Sequence, residues 1–279
     1  MHKNNLHNTN YNLEELSIAY PPLNEFIFTN KYDTKTIDFA NAEAVKSLNT
    51  ALLKKHYNID FWVFSDENLC PPIPSRVDYI HHLSDLTKSK NIKVLDIGTG
   101  ATCIYPLLGN AVYNWHFVGT DIDEKSIANA QVIIAKNKLG KLIELRLQSD
   151  KNNILNGIVL ADDQFTFSMC NPPFYKSKED ALQANSRKLK NLKLDTKTRN
   201  FSGNANELWY KGGEKAFLHN YLYQSAQYKT QFEWFSSLVS KKELVQSMKQ
   251  SLKKLGATKI KVIEMTQGNK ISRIVAWQF

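Results

Sequence analysis

A doubly wound α/β domain with a mostly parallel sheet, preceded by a small, mainly helical N-terminal module, is the architecture this sequence predicts. Three observations predict it. From Asn91 onward, short β-rich runs alternate with amphipathic helical stretches, the pattern of parallel βαβ units with helices on both faces. The first of those runs closes in Gly98-Thr99-Gly100, whose glycines allow a tight turn and let a ligand approach the main chain. Ahead of them, Cys70-Pro71-Pro72-Ile73-Pro74 interrupts regular helix through ring sterics and missing N–H donors, which sets a boundary. The expected organisation is an accessory module over residues 1–74 and the sheet domain over residues 75–279.

Each element has its own warrant. In the module, Ala40, Ala44, Val45, Leu48, Ala51, Leu52 and Leu53 recur at helical spacing, with Asp38 or Asn41 available as the cap. A second helix is expected from Ser75 to Thr87. Strands are expected at Ile92–Ile97, Trp115–Asp121, Leu142–Leu147 and Phe165–Cys170, rich in β-branched and aromatic residues. Ser126–Lys138 reads as a helix with apolar positions at Ile127, Ala128, Ala130, Val132, Ile133, Ile134 and Ala135. Later, Ala216–Ala226 and Lys241–Leu255 read as helices, and Lys259–Met265 with Ile271–Gln278 as an antiparallel pair across Gln267-Gly268-Asn269.

Composition excludes several classes. With 279 residues and 42% hydrophobic content the chain can bury a sizeable core and is not disordered. No run approaches the roughly 18 apolar residues of a membrane span. Met1–Asn10 is polar and lacks the apolar region of a secretory signal, so the cytoplasm is the expected compartment. Cys70, Cys103 and Cys170 are widely spaced with no C-x-x-C pair, which favours small core residues over metal ligands, and no metal is expected. The net charge of +9 is unevenly placed. Residues 176–206 read as a long loop, and between Arg187 and Arg199 its bases Arg187, Lys188, Lys190, Lys193, Lys197 and Arg199 are set against one acid, Asp195; such a cluster suits a polyanion.

Ligands of open parallel sheets bind at the carboxyl ends of the strands. Gly98 and Gly100 fit there, but a dinucleotide fingerprint needs a third glycine where Cys103 stands, and an ordinary strand-to-helix turn reads the same way. Asp121 closes the second strand and can accept both hydroxyls of a ribose, or else cap the helix that follows. A glycine turn without a pyrophosphate site, followed by a ribose acid, describes a nucleoside ligand without phosphates, S-adenosylmethionine. The fourth strand ends in Asn171-Pro172-Pro173-Phe174. An aromatic amine is a poor nucleophile because its lone pair is delocalised into the ring. Two carbonyl acceptors on its N–H bonds localise that pair, and Asn171 and Pro172 can supply them. Proline dihedrals fix the acceptors in place, and Phe174 can stack on a base. A plain proline turn is the alternative. Tyr175, Trp209 and Tyr210 are further candidates to grip a base, or to fill the core.

Asn171-Pro172-Pro173-Phe174 resembles the catalytic motif of amino-group methyltransferases acting on adenine, cytosine or protein glutamine. The run Asp96 to Gly109 is similar to the first motif of bacterial 23S ribosomal RNA adenine-N6 methyltransferases, relatives of a eukaryotic U6 small nuclear RNA methyltransferase. The similarity extends to Ile37–Asn41, Leu69–Ile80 and Gly212-Gly213-Glu214. Where that family usually opens with Leu-His-Pro-Arg-Asn, this chain has Leu6-His7-Asn8-Thr9-Asn10. The resemblance implies a Rossmann-like class I S-adenosylmethionine-dependent fold, adenine 1618 of 23S RNA or a ribosomal precursor as target, and S-adenosylhomocysteine as product. It implies cofactor contacts from Arg76, Asp96, Gly98, Thr99, Gly100, Thr102, Asp121 and Asn171, with Arg76 on the methionine carboxylate; a monomer is expected. The alternatives are N6-methylation of another RNA or of DNA, methylation of a protein glutamine, and a non-catalytic RNA-binding protein on the same fold.

Overall fold

The computed structural model describes residues 1–177, 179–180, 183, 208–267 and 270–279. The basic residues Arg187, Lys188, Lys190, Lys193, Lys197 and Arg199 lie outside the described residues. Among those described, no helix is long and apolar enough to cross a membrane, and no group of three or more His, Cys, Asp or Glu side chains could hold a metal ion.

A seven-stranded sheet runs in the order β5-β4-β3-β6-β7-β9-β8. Its strands are β3 (Lys93–Ile97), β4 (His116–Asp121), β5 (Ile143–Leu147), β6 (Phe165–Cys170), β7 (Phe232–Val239), β8 (Lys259–Gln267) and β9 (Lys270–Gln278). The pairings from β5 through β7 are parallel, while β9 runs antiparallel to both β7 and β8. The chain leaves β3 towards β4 and β5, then returns to β6 on the other side of β3. That reversal opens a crevice between the ends of β3 and β6, the place where doubly wound sheets bind ligands. Every residue of β6 is buried, as expected of a central strand covered on both faces.

One strand and one hairpin are hidden or blurred in the sequence. β7 was not expected at all. Glu233, Ser236 and Ser237 break its apolar run, yet both serines are fully buried, with Ser236 Oγ donating to the Ser168 carbonyl at 2.7 Å and Ser237 Oγ to that of Leu238 at 2.9 Å. A hydroxyl bonded to nearby main chain can be buried like an apolar group. In the module, β1 (Ile27–Thr29) and β2 (Lys35–Ile37) form a small antiparallel hairpin beside the helices α1 (Leu13–Ala19) and α2 (Ala42–Tyr57).

Helix ends follow their caps. Asn41, not Asp38, caps α2, accepting from the N–H groups of Glu43 and Ala44, while Asp38 holds the preceding turn through Ala40 N at 2.8 Å. α3 spans Ile73–Ser84, so a boundary after Pro74 falls inside its first turn. Proline is tolerated there because the first-turn N–H groups have no helical acceptor. The remaining helices are α4 (Ile104–Tyr113), α5 (Glu124–Lys136), α6 (Gly213–Ser225) and α7 (Lys242–Lys254).

The core lies on both faces of the sheet. On one face Leu48, Leu52 and Leu53 of α2, Tyr79, Ile80 and Leu83 of α3 and Leu107 of α4 pack with Phe117 and Phe167, so the N-terminal segment and the sheet share one apolar cluster. The other face gathers Leu95, Val118, Tyr221, Leu222, Phe235, Met248, Leu252 and Trp277. Each such side chain contributes about 1.5–3 kcal/mol on burial. The N-terminus is also tied down by polar contacts: His2 N donates to Asp78 Oδ1 at 2.7 Å, and Asn5 Nδ2 to the same oxygen at 2.9 Å and to the Pro74 carbonyl at 3.0 Å.

Candidate active site

The carboxyl ends of β3, β4 and β6 enclose a cleft of about 1130 Å³ including its open mouth, enough for a nucleoside-sized ligand with a second group beside it. Arg76, Gly98, Thr99, Gly100, Thr102, Asp121, Asn171 and Pro173 line it, together with Trp209 and Tyr210.

The glycine turn is held by main chain. Gly98 N and Thr99 N both donate to the Thr120 carbonyl, at 2.8 and 2.9 Å. Gly98 and Gly100 take φ +75° and +65°, a region where a side chain would be strained. A Cβ at Gly98 would stand in open space, so the cleft reaches the main chain there.

Asp121 closes β4 with each oxygen half used. Oδ2 accepts from Gly100 N at 2.9 Å and Oδ1 from Asp123 N at 3.0 Å. A carboxylate has about four acceptor positions, so both oxygens keep capacity towards the cleft. The helix cap is a different residue: Asp123 Oδ2 accepts from Ser126 N and Oγ at 2.9 and 2.8 Å. Asp121 is therefore free for a ligand, and burial raises its carboxyl above the ordinary range.

Beneath the turn lies Asp96, fully buried and absent from the cleft lining. Neither of its oxygens has a hydrogen-bond partner. Burial pushes its carboxyl up to about 7, with the nearby Thr99 hydroxyl and Arg76 opposing the shift and the negative Asp121 adding to it. Arg76 donates from Nη1 to the Tyr105 hydroxyl at 2.7 Å and sits 5.4 Å above that ring, while its Nε is buried and unpaired. Thr120 Oγ1 is buried and unpaired as well. Buried polar atoms without partners are uncommon. Arg76, Thr120 and Trp209 carry such atoms on the cleft lining, which describes a site shaped for a polar ligand.

On the other side, the segment after β6 is strapped by a distant part of the chain. Phe174 N and Tyr175 N donate to the Leu208 carbonyl at 3.0 and 2.9 Å, and Tyr210 N returns to the Tyr175 carbonyl at 3.0 Å. Below, Tyr79 receives Cys170 N at 3.5 Å and pairs with Ser236 Oγ at 2.8 Å. Pro172 is buried behind the lining, and Phe174 stands outside it at 44% exposure. The cleft thus gathers most of the expected cofactor residues with Asn171 and Pro173, and leaves Asp96, Pro172 and Phe174 adjacent to it. Sequence reasoning missed Tyr105, Thr120, Gln148, Lys151, Asn153 and Phe217 as lining residues. Gln148 follows the last residue of β5, so the strand-end rule applied to that strand finds it.

The whole chain, residues 1–279, matches the profile of a family described as RNA methyltransferase. It belongs to that family. Among relatives of this RNA methyltransferase, "Ribosomal RNA large subunit methyltransferase F" of Christiangramia forsetii is 49% identical over 285 residues and covers 100% of both chains. The protein of that name from Flavobacterium psychrophilum is 47% identical over 292 residues, covering 100% of this chain and 93% of its own. Solved structures resemble it along its full length. The hMettl16 catalytic domain in complex with MAT2A 3′UTR hairpin 1 superposes with a TM-score of 0.87 at 29% identity, covering 100% of this chain and 95% of that one. The N-terminal domain of human METTL16 in complex with SAH gives 0.81 at 27%, covering 100% and 98%. This methyltransferase therefore has the class I, mostly parallel fold that its sequence predicted.

Proposed function

We propose that this RNA methyltransferase transfers a methyl group from S-adenosylmethionine to the exocyclic N6 of adenine 1618 in 23S ribosomal RNA, free or within a ribosomal precursor. The observation that carries the reading is Asn171-Pro172-Pro173-Phe174 at the end of β6, across the cleft from the Gly98–Gly100 turn and Asp121.

The residues fit the cofactor. Asp121, with acceptor capacity left on both oxygens, would hold the ribose hydroxyls, and the main chain at Gly98–Gly100 would lie against the ligand. Arg76 keeps an unpaired Nε for the methionine carboxylate, which its guanidinium suits by geometry. Asp96 would act through its field from beneath the turn, favouring a cationic ligand. Once bound, S-adenosylmethionine supplies an electrophilic methyl on a sulfonium and departs as S-adenosylhomocysteine.

The chain's own contribution to transfer is acceptance and alignment. The Asn171 side-chain carbonyl and the Pro172 main-chain carbonyl would accept the two N6–H bonds, localising the amine's lone pair. Neither Pro172 nor Pro173 has an N–H to compete, and their fixed φ keeps the acceptors in register with the donor side. The exposed ring of Phe174 would stack on the base after it leaves its helix. The proton leaves the nitrogen after it gains the methyl, when it is strongly acidic, so no dedicated base is required. In the same reading, Arg187, Lys188, Lys190, Lys193, Lys197 and Arg199 contact RNA phosphates, the module of residues 1–74 assists in binding RNA, and the enzyme works as a monomer in the cytoplasm.

The test is to incubate the purified protein with tritium-methyl S-adenosylmethionine and 23S RNA from cells lacking the enzyme, then to map the label. N6-methyladenosine at one site, adenine 1618, is the expected result. Label in DNA or protein instead of RNA would overturn the substrate and keep the methyl transfer.

A further inference from the structure

One polar atom on the β6 side of the cleft has no role in the reading above. Trp209 lines the cleft with Asn171 and Pro173, and its indole Nε1 is buried without a hydrogen-bond partner. An indole nitrogen can only donate. Keeping such a donor unpaired away from water is unfavourable, so its presence beside a ligand cleft points to an acceptor that arrives with the ligand.

The backbone indicates which ligand. Trp209 bridges to Tyr175 in parallel register, four positions beyond Asn171, and its neighbour Leu208 receives both Phe174 N and Tyr175 N. The Gly98–Gly100 turn and Asp121 stand at the ends of β3 and β4, whereas β6 lies on the opposite side of β3 from β4. Trp209 is thus tied to the strand end that offers its carbonyls to the substrate amine. The other unpaired atoms of the site, on Arg76, Asp96 and Thr120, belong to the cofactor side.

We propose that Trp209 Nε1–H donates a hydrogen bond to the ring nitrogen flanking the target amine, N1 or N7 of the adenine, and so helps select the base; this rests on the adenine-N6 reading above. Adenine presents an amine that gives two protons and, on either side of it, a ring nitrogen that accepts. Two carbonyls and one donor match that edge. They oppose guanine, whose 6-oxo group and N1–H reverse the pattern, and a site built to satisfy a hydrogen bond discriminates by far more than one built on shape alone.

The experiment uses a 23S RNA fragment centred on adenine 1618, carrying adenine, 1-deazaadenine or 7-deazaadenine at that position, with the wild-type enzyme and Trp209→Phe. Wild type is expected to methylate adenine and to lose about 10-fold to 100-fold in kcat/KM on one of the two deaza substrates. Trp209→Phe is expected to lose a similar factor on adenine and then to treat that deaza substrate and adenine alike, because the partner atom is missing either way. A wild type that tolerates both deaza substitutions overturns the proposal without needing any variant to fold. So does a Trp209→Phe enzyme whose loss is the same on all three substrates. A wild type that methylates no adenine in the fragment overturns both the proposal and the reading it rests on.

Discussion

At the ends of β3 and β4, the glycine turn and Asp121 come from one short stretch of chain, from Gly98 to Asp121, and are fixed by hydrogen bonds from the main chain such as Gly100 N to Asp121. At the end of β6 the corresponding groups are fixed by a remote segment, Leu208 to Tyr210, that closes onto Phe174 and Tyr175. The first side is made of local geometry. The second depends on two parts of the chain meeting. A cofactor that is the same in every turnover suits a locally preformed site, whereas placing acceptors on an amine demands an alignment assembled from several elements.

That contrast predicts opposite kinetic signatures. The largest effect belongs to the β6 side. Asn171→Ala removes an acceptor that matters most as charge develops on the nitrogen, so the single-turnover methyl-transfer rate should fall about 10²-fold to 10³-fold. Cofactor affinity, read by calorimetric titration, should stay within about tenfold. A variant that remains active would remove Asn171 from its assigned role.

The next effect belongs to the β4 side. Asp121→Ala takes away two charge-assisted acceptors for the ribose and should weaken S-adenosylmethionine by about 10-fold to 100-fold. At saturating cofactor the transfer rate should recover to within about tenfold of wild type. Should Asp121→Ala lower the rate and spare the affinity, the two sides of the cleft would not be divided in the way their construction indicates.

Much of this was legible because the relevant signals are local. The glycine turn, the acid closing β4 and the Asn-Pro-Pro-Phe run each occupy consecutive residues at strand ends, and the alternation from Asn91 fixed the parallel part of the sheet. What escaped the sequence is non-local or disguised. β7 hides behind buried serines whose hydroxyls are satisfied only once Ser168 and Leu238 are in place. Asp96 reads as a cofactor contact from its place in the motif, yet its full burial puts it beneath the floor of the cleft and outside the lining. Trp209 reads equally as core or as base-gripping aromatic, and only an unpaired Nε1 in a folded chain separates the two. The shared cluster of α2, α3 and the sheet could not be seen either, because the proline run that suggests a boundary sits in the first turn of a helix.

The smallest expected effect sharpens the comparison from the stability side. Asp96 is held near 7 by burial, against about 3.8 when exposed, so between roughly pH 4 and 7 the folded protein binds more protons at this site than the unfolded chain. Its contribution is favourable below about pH 4 and is lost as the pH rises through 7, with a slope no greater than one proton's linkage, about 1.4 kcal/mol per pH unit. Asp96→Asn keeps the shape and removes the titration. Carboxylates remote from the turn, such as Asp163 held low by Arg146 and Lys93, titrate alike in both proteins and cancel in the difference, whereas Asp121, relieved of the Asp96 charge, ionises more readily in the variant and adds to the same trend. The melting temperature of Asp96→Asn relative to wild type should therefore rise from pH 5 to pH 8 in the absence of cofactor. Saturating S-adenosylmethionine should shrink that rise, since a cation over the turn stabilises the ionised carboxylate and draws its pKa down. A difference that is flat with pH, or unchanged by cofactor, would mean that Asp96 shapes the turn by packing alone and takes no part in attracting the ligand.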